Sequence, residues 1–253
     1  MLTKVKTPAE LRAQRESGQM LATVLAGIRA FVHPGATGKD ISEFAQRELK
    51  SMGAAAAFLG YSGFPDVICI SVNDEVVHGI PNRIPFEMGD LVSFDFGVTW
   101  QGMVTDSSFS MFIGHQAPSK QAKQLLEATE ASMYEGIGVL KNGVTTGDIG
   151  AAVQVILDAG RYGIVRELVG HGVGHYLHEE PDIPNYGRAG TGRILKAGMT
   201  IAIEPMATLG SRHVVLDPDE WTVRTRDGSL AAHFEHTVLI TETGSEILTQ
   251  LAE

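Results

Sequence analysis

Hydrophobic residues in the first thirty positions recur at the spacing of one helical face. Leu11, Met20, Leu21, Val24, Leu25 and Ile28 form the stripe, which extends to about Phe31. Thr7-Pro8-Ala9-Glu10 marks its start. The Thr and Glu side chains can satisfy free N–H groups of the first turn, and proline there loses an N–H that would have no partner anyway. His33-Pro34-Gly35 stops the helix, and a second is expected from about Thr37 to Met52, with Gly53 as its C-terminal stop. Leu91 to Phe112 reads as a hairpin turning at Gln101-Gly102. With that two-residue loop Trp100 faces Met103 and Asp95 lies opposite Ser108. Asp106 is then the diagonal neighbour of Asp95 on the same face, ~7–8 Å away between backbones. A three-residue loop would put the two aspartates on opposite faces unless a bulge restored the register.

The pattern then returns. Gly35-Ala36-Thr37-Gly38-Lys39-Asp40-Ile41 resembles Gly143-Val144-Thr145-Thr146-Gly147-Asp148-Ile149, 108 residues later. Gly89-Asp90-Leu91-Val92-Ser93-Phe94-Asp95 resembles Gly198-Met199-Thr200-Ile201-Ala202-Ile203-Glu204, 109 residues later. Each member of the second pair reads as a strand that starts after glycine and ends on a carboxylate. A further strand follows in each half, from Asp106 to Ile113 and from Glu235 to Ile240. Either match alone is weak, because Gly-x-Thr turns are common, but two in one order at nearly one offset imply an internal duplication of about 8–112 onto 119–241. No linker, low-complexity tract or composition shift divides the chain. The expectation is one α/β (α+β) domain spanning 1–253, with a site in the cleft between two pseudo-symmetric halves.

Composition narrows the function. Twenty basic and thirty acidic residues give a net charge of −10, and no run of Lys and Arg occurs. A broad nucleic-acid or anionic-membrane surface is therefore not expected. A single cysteine, Cys69, excludes a disulfide framework and a Cys-rich zinc site. No stretch approaches the ~20 apolar residues of a membrane span, and the N-terminus becomes charged too early for a secretory signal. A reduced cytoplasm is the expected compartment.

The duplication also makes a chemical claim. Asp95 pairs with Glu204 and Asp106 with Glu235, so each half supplies two carboxylates from equivalent strands. Four carboxylates in one cleft could not all stay ionised without positive charge. No Lys or Arg lies in either strand pair near them, which makes metal ions the economical counter-charge. Scattered surface acids are the plainer reading, but it fits poorly with Val92-Ser93-Phe94-Asp95-Phe96 and Ile201-Ala202-Ile203-Glu204, both rich in apolar neighbours. Gly170-His171-Gly172-Val173-Gly174-His175-Tyr176-Leu177-His178 suggests an imidazole ligand at His171, since three histidines lie within eight residues of a glycine-rich segment. One imidazole with four carboxylates suits manganese, iron(II), cobalt, zinc or nickel rather than copper(I).

These residues resemble a known family. The order Asp95, Asp106, His171, Glu204, Glu235 is similar to the ligand set of the pita-bread metallopeptidases. Val77-His78-Gly79-Ile80-Pro81, Gly170-His171-Gly172-Val173-Gly174, His178-Glu179-Glu180-Pro181, Ile203-Glu204-Pro205, Trp221-Thr222-Val223 and Phe234-Glu235-His236-Thr237 resemble the motifs of type I methionine aminopeptidases within it. The short bacterial form is expected: helix one starts near residue 8, and only 25 residues separate His178 from Glu204, too few for the insertion of type II enzymes. The resemblance implies a pita-bread fold, with a central antiparallel sheet and helices on its outer face. It also implies two divalent ions, with Asp95 and His171 each favouring one and Asp106 and Glu235 bridging.

Glu204 would be both ligand and proton acceptor, His178 would stabilise the developing oxyanion, and His78 would contact the scissile amide and assist the leaving nitrogen. Tyr61, Phe64, Cys69 and Trp221 match an apolar pocket for the methionine side chain, to which a thioether packs well; Leu177, next to it, stands where an aromatic residue is frequent. His233 stands where the family usually has glutamine, and His175 where a basic or polar residue is common. The substrates implied are N-termini of nascent polypeptides with a small second residue, met by a monomer in transient contact with the ribosome. Two rivals share the fold: an Xaa-Pro aminopeptidase or prolidase, and a non-catalytic binding protein. The first usually carries an additional N-terminal domain, and the second requires a broken ligand set.

Overall fold

The structure, a computed structural model, describes residues 3–251. Thr7 caps helix α1 (Pro8–Phe31) by accepting from the Glu10 N–H while Glu10 accepts from the Thr7 N–H, the expected reciprocal pair. Helix α2 (Gly38–Met52) begins with the same device between Thr37 and Asp40 and stops at Gly53, whose φ of 72° is left-handed. Helices α3 (Lys120–Gly138) and α4 (Thr146–Ala159) complete the helical layer.

In chain order the strands are β1 (Ala55–Ala56), β2 (Cys69–Val72), β3 (Glu75–Val77), β4 (Leu91–Trp100) and β5 (Met103–Phe112), then β6 (Gly163–Ile164), β7 (Gly170–Gly172) and β8 (Glu179–Ile183). There follow β9 (Thr200–Ile203), β10 (Met206–Thr208), β11 (Val214–Leu216), β12 (Val223–Thr225), β13 (Ala231–His233), β14 (Glu235–Ile240) and β15 (Ser245–Ile247). The main sheet runs β1-β4-β5-β14-β9-β7-β8, with β2 on β4 and β15 on β14, and its pairs are antiparallel. Two three-stranded sheets, β13-β10-β6 and β11-β12-β3, stand beside it.

Strand period then sorts the faces. Val92, Phe94, Phe96 and Val98 of β4 pack with Leu21, Ile28, Ile41 and Ile149 from the helices in one buried core, joined by Ile201, Ile203 and Val238 from the other half. The intervening positions, including Asp95 on β4 and Asp106 on β5, face the opposite side. The hairpin has the expected two-residue loop: Trp100 is opposite Met103 and Asp95 opposite Ser108, with positive φ at both Gln101 and Gly102. The strand expected to end at Asp95 continues to Trp100, and its partner begins at Met103 rather than Asp106. In the second half β9 does end before its carboxylate, since Pro205 after Glu204 has no N–H to continue the ladder. Among the described residues no helix is long and apolar enough to cross a membrane.

Several bonds occur twice. The Gly35 N–H donates to the Phe86 carbonyl as Gly143 does to Leu195, and Gly89 to Ile113 as Gly198 does to Ile240. Threonine caps α2 and α4 alike, at Thr37 and Thr145. These pairs lie on the cleft's supporting frame, not in the cleft itself.

Close approach of backbones dictates one glycine beside the site. A Cβ on Gly170 would lie 2.4 Å from the Ala202 carbonyl oxygen on the adjacent strand, with Ile183 at 3.2 Å on the other side. Gly170→Ala is expected to cost about 1–3 kcal/mol, the usual cost of overpacking, read as a lower denaturation midpoint in urea. A variant as stable as the parent would show that these strands separate without strain.

Candidate metal centre

A cleft of about 540 Å³ opens on the face of the sheet away from the helices. Its walls include all twelve residues singled out in the sequence: Asp95, Asp106, His171, Glu204 and Glu235, then His78 and His178, then Tyr61, Phe64, Cys69, Leu177 and Trp221. They come from seven separate stretches of chain. Asp106, His171 and Glu235 form the tightest group, each with a donor atom within 4.8 Å of the others. Glu204 adjoins it, with Oε1 3.4 Å from His171 Nε2. Asp95 lies at the Cys69 side of the cleft, on the strand directly paired with β2.

The local structure holds these groups without using their chemistry. Thr237 Oγ donates to the Asp106 carbonyl and accepts from the Asp106 N–H, at 2.8 and 2.9 Å. Ser107 Oγ donates to the Glu235 carbonyl at 2.6 Å, and Asn185 donates to the Glu204 carbonyl at 3.1 Å. One oxygen of each of three carboxylates is left open: Asp95 Oδ1, Asp106 Oδ1 and Glu235 Oε1 are buried with no hydrogen-bond partner, while Asp95 and Asp106 also bond each other and Asp106 accepts from the Ser107 N–H. His171 is oriented differently. Its Nδ1 lies 2.9 Å from the Gly172 carbonyl, an acceptor, so Nδ1 carries the proton and Nε2 faces Glu204 bare.

Electrostatics follow from burial. In metal-free protein desolvation raises Asp95 to about 7, and raises Asp106, Glu204 and Glu235 well above the ordinary carboxylate range. Mutual repulsion adds to this at Asp106 and Glu235. Burial lowers His171 to about 3 and His78 to about 4, so both are neutral at pH 7. Bare imidazole nitrogen, unpartnered carboxylate oxygens and the lack of a Lys or Arg in the cleft wall fit a cation of hard-to-borderline character. The residues present suit divalent metal.

The second group lies around the rim. His178 Nδ1 is 2.8 Å from the Tyr61 hydroxyl, and its ring meets the His171 ring edge-on, centroids 4.2 Å apart. His78 follows β3 with a φ of 60°, the left-handed region that a non-glycine residue seldom adopts. The apolar wall is Phe64 edge-on to Trp221 at 5.1 Å and to Phe58 at 6.5 Å, with Cys69 and Leu177 buried beside them. Phe58 was not among the sequence candidates: it ends a run of four alanines that has no period to read. Its ring occupies the space a Cβ on Gly97 would fill, at 2.8 Å. His233 was noticed only as a departure from a family pattern, yet it lies 3.7 Å from Glu204 Oε2.

A pH dependence follows for metal-free protein. Raised carboxyl pKa values stabilise the fold below the ordinary range, near 4, and that stability is lost as pH rises through the folded values, about 7 for Asp95 and well above the ordinary carboxylate range for the others. The depressed histidines act oppositely, being lost as pH falls below their ordinary 6.5. Above pH 6.5 only the carboxyl effect remains. Chelated protein should therefore melt at progressively lower temperature from pH 6.5 to 8, and added divalent metal should remove that slope. Equal slopes with and without metal would mean that the carboxyl groups are not the metal-sensitive charge.

Comparison with known proteins agrees with this chemistry. The description of metallopeptidase family M24 matches residues 12–242. The chain is 44% identical over 246 residues to methionine aminopeptidase 1 of Bacillus subtilis, covering 97% of this chain and 98% of that one. The crystal structure of methionine aminopeptidase from Thermotoga maritima overlays with a TM-score of 0.96 at 40% identity, over 98% of this chain and 100% of that one. Prolidase from Pyrococcus furiosus shares the fold, with a TM-score of 0.77 at 22% identity, over 98% of this chain and 66% of its own. A match over nearly the whole length, to a family of metallopeptidases whose fold this sheet and cleft reproduce, establishes that the chain belongs to metallopeptidase family M24.

Proposed function

We propose that this M24 enzyme is a methionyl aminopeptidase that removes the N-terminal methionine of nascent proteins and peptides, favouring a small second residue. One observation carries the reading. The acidic, metal-suited half of the cleft adjoins an apolar half made of Phe58, Tyr61, Phe64, Cys69, Leu177 and Trp221, whose aromatic and sulfur-bearing walls suit a thioether side chain. Prolidase-like activity is the weaker alternative, since its support is likeness of fold at 22% identity. A cytoplasmic monomer working near the ribosome is the setting we infer. We also infer one catalytic domain built from two related halves, supported by the paired hydrogen bonds of its frame.

Asp95, Asp106, His171, Glu204 and Glu235 would hold two divalent ions, of cobalt, manganese, iron, zinc or nickel. When bound, the ions supply Lewis-acid polarisation of the scissile carbonyl and lower the pKa of the attacking water. Glu204 would be the residue that accepts a proton from the nucleophile. Burial lowers the pKa of His178 and keeps it neutral. Its Nδ1 lies 2.8 Å from the Tyr61 hydroxyl; a hydroxyl donating there would put the His178 proton on Nε2, from which it would donate to the oxygen that gains charge. His78, kept neutral by burial, would contact the scissile amide nitrogen as it leaves.

Changing His178 to alanine is expected to lower kcat by about 10²–10³, the usual cost of one oxyanion donor, with metal content unchanged by elemental analysis. Loss of metal alongside rate would make His178 a ligand instead. For the substrate, initial rates on X-Ala-Ser peptides should rank methionine and norleucine first, leucine lower and lysine last. A missing methylene alters fit by only ~1–3 kcal/mol, whereas the wall offers lysine no counter-charge. Equal rates for methionine and lysine would place the side-chain pocket elsewhere, and faster cleavage of Ala-Pro-Ala than Met-Ala-Ser would favour the prolidase reading.

A further inference from the structure

His233 ends β13 and is only 1% exposed. Its backbone is fixed independently of its ring: Ser110 Oγ accepts from the His233 N–H at 2.9 Å and donates to its carbonyl at 2.8 Å. The ring itself is unusual. Both nitrogens are buried and neither has a hydrogen-bond partner, a costly arrangement for a polar side chain. Its electrostatic neighbours are Glu204, Asp95 and His78.

Glu204 consequently lies between two imidazoles, with Oε1 3.4 Å from His171 Nε2 and Oε2 3.7 Å from His233 Nε2. The two rings cannot play the same part. His171 has its proton committed to the Gly172 carbonyl through Nδ1, so its Nε2 is bare. Nothing fixes the proton of His233 on Nδ1, and Nε2 is the nitrogen that faces a carboxylate oxygen. We propose that His233 is a positioning residue: its Nε2, 3.7 Å from Glu204 Oε2 and short of a hydrogen bond as it stands, closes to donate to that oxygen when metal binds, which leaves Oε1 for the metal. The proposal rests on reading Glu204 as a metal ligand. It gives His233 an outer role, since a ligand held by a neighbouring donor loses less freedom on binding and keeps one geometry. A glutamine amide at this position could donate in the same way, whereas alanine could not.

The test is manganese(II) binding to chelated protein, measured calorimetrically for the parent, His233→Ala, His233→Gln and Glu204→Ala. His233→Ala should bind roughly 10–100-fold more weakly, the usual cost of losing an outer hydrogen bond to a ligand, while His233→Gln stays near the parent. Pulsed EPR of the bound manganese should report one coordinated imidazole in both the parent and His233→Gln. Parent-like affinity in His233→Ala would overturn the proposal, as would His233→Gln binding as weakly as His233→Ala. Two imidazole couplings in the parent would also overturn it, by making His233 a ligand. If instead Glu204→Ala binds manganese like the parent, the ligand reading of Glu204 fails, a result separable from all of these.

Discussion

The burial of four carboxylates in one cleft, where desolvation first and mutual repulsion second oppose their charge, is the constraint around which the site is arranged. Elsewhere the chain buries acids beside organic cations. Glu179 has Lys6 at 3.3 Å, with the two side chains 2% and 0% exposed, and Asp66 has Lys39 at 2.6 Å. Arg224 gathers Asp74, Glu75 and Asp217. Among the described residues no Lys or Arg pairs with Asp95, Asp106, Glu204 or Glu235. Protons can neutralise these groups at low pH, but near pH 7 only an added cation lets them remain ionised without that penalty. A divalent cation bound there would relieve this penalty, which is why the cleft is suited to one.

Keeping four such groups free while fixing their positions requires other groups to hold the backbone. The hydroxyls of the central strands do this. Thr237 bonds the main chain of Asp106 on both sides, Ser107 bonds that of Glu235, and Ser110 that of His233. The first two cross the β5–β14 junction, where direct strand pairing is confined to Glu235 with Ser108 and His236 with Ser107, and the third joins β5 to the end of β13. A hydroxyl both donates and accepts, so it satisfies a backbone N–H and carbonyl together where the ladder is interrupted. The apolar rows of the same strands fill the opposite face with helix contacts. Period two therefore separates rigid packing from chemistry within single strands.

Local rules made much of this legible in the sequence. Thr7 and Glu10, Gly53, and the Gln101-Gly102 turn each specify one geometry, and the turn alone sets Asp95 and Asp106 on one face. What escaped depended on distant partners. Lys6 belongs to the charged N-terminal stretch and has no sequence neighbour that announces burial, yet its side chain is wholly buried, with Glu179 and Thr3 at its ammonium. Glu10 reads as a capping residue and is one, but its second oxygen also lies 2.7 Å from His175 Nε2, tying α1 to the loop before His178. His78 has no neighbour in sequence that requires its positive φ. Phe58 is placed by the absence of a side chain at Gly97, thirty-nine positions further along the chain.

The two halves of the cleft are not independent, because they share residues. Cys69 is the direct cross-strand partner of Asp95, so the wall of the proposed methionine pocket is one strand spacing from the metal site. Burial, reinforced by the charges of Asp95 and Asp106, pushes the Cys69 thiol well up, which keeps it a neutral, soft wall rather than another anion. Tyr61 joins the halves more directly. Its ring lines the cleft while its hydroxyl lies 2.8 Å from His178 Nδ1. On the reading proposed here, Tyr61 senses the first side chain and fixes the tautomer of the oxyanion donor at once. A substrate that displaces the Tyr61 ring then loses more than apolar contact: it releases His178 from the tautomer that has Nε2–H to give. Selection by such a pocket acts on the rate of reaction as well as on binding, which is where an exopeptidase acting on many different chains gains its discrimination.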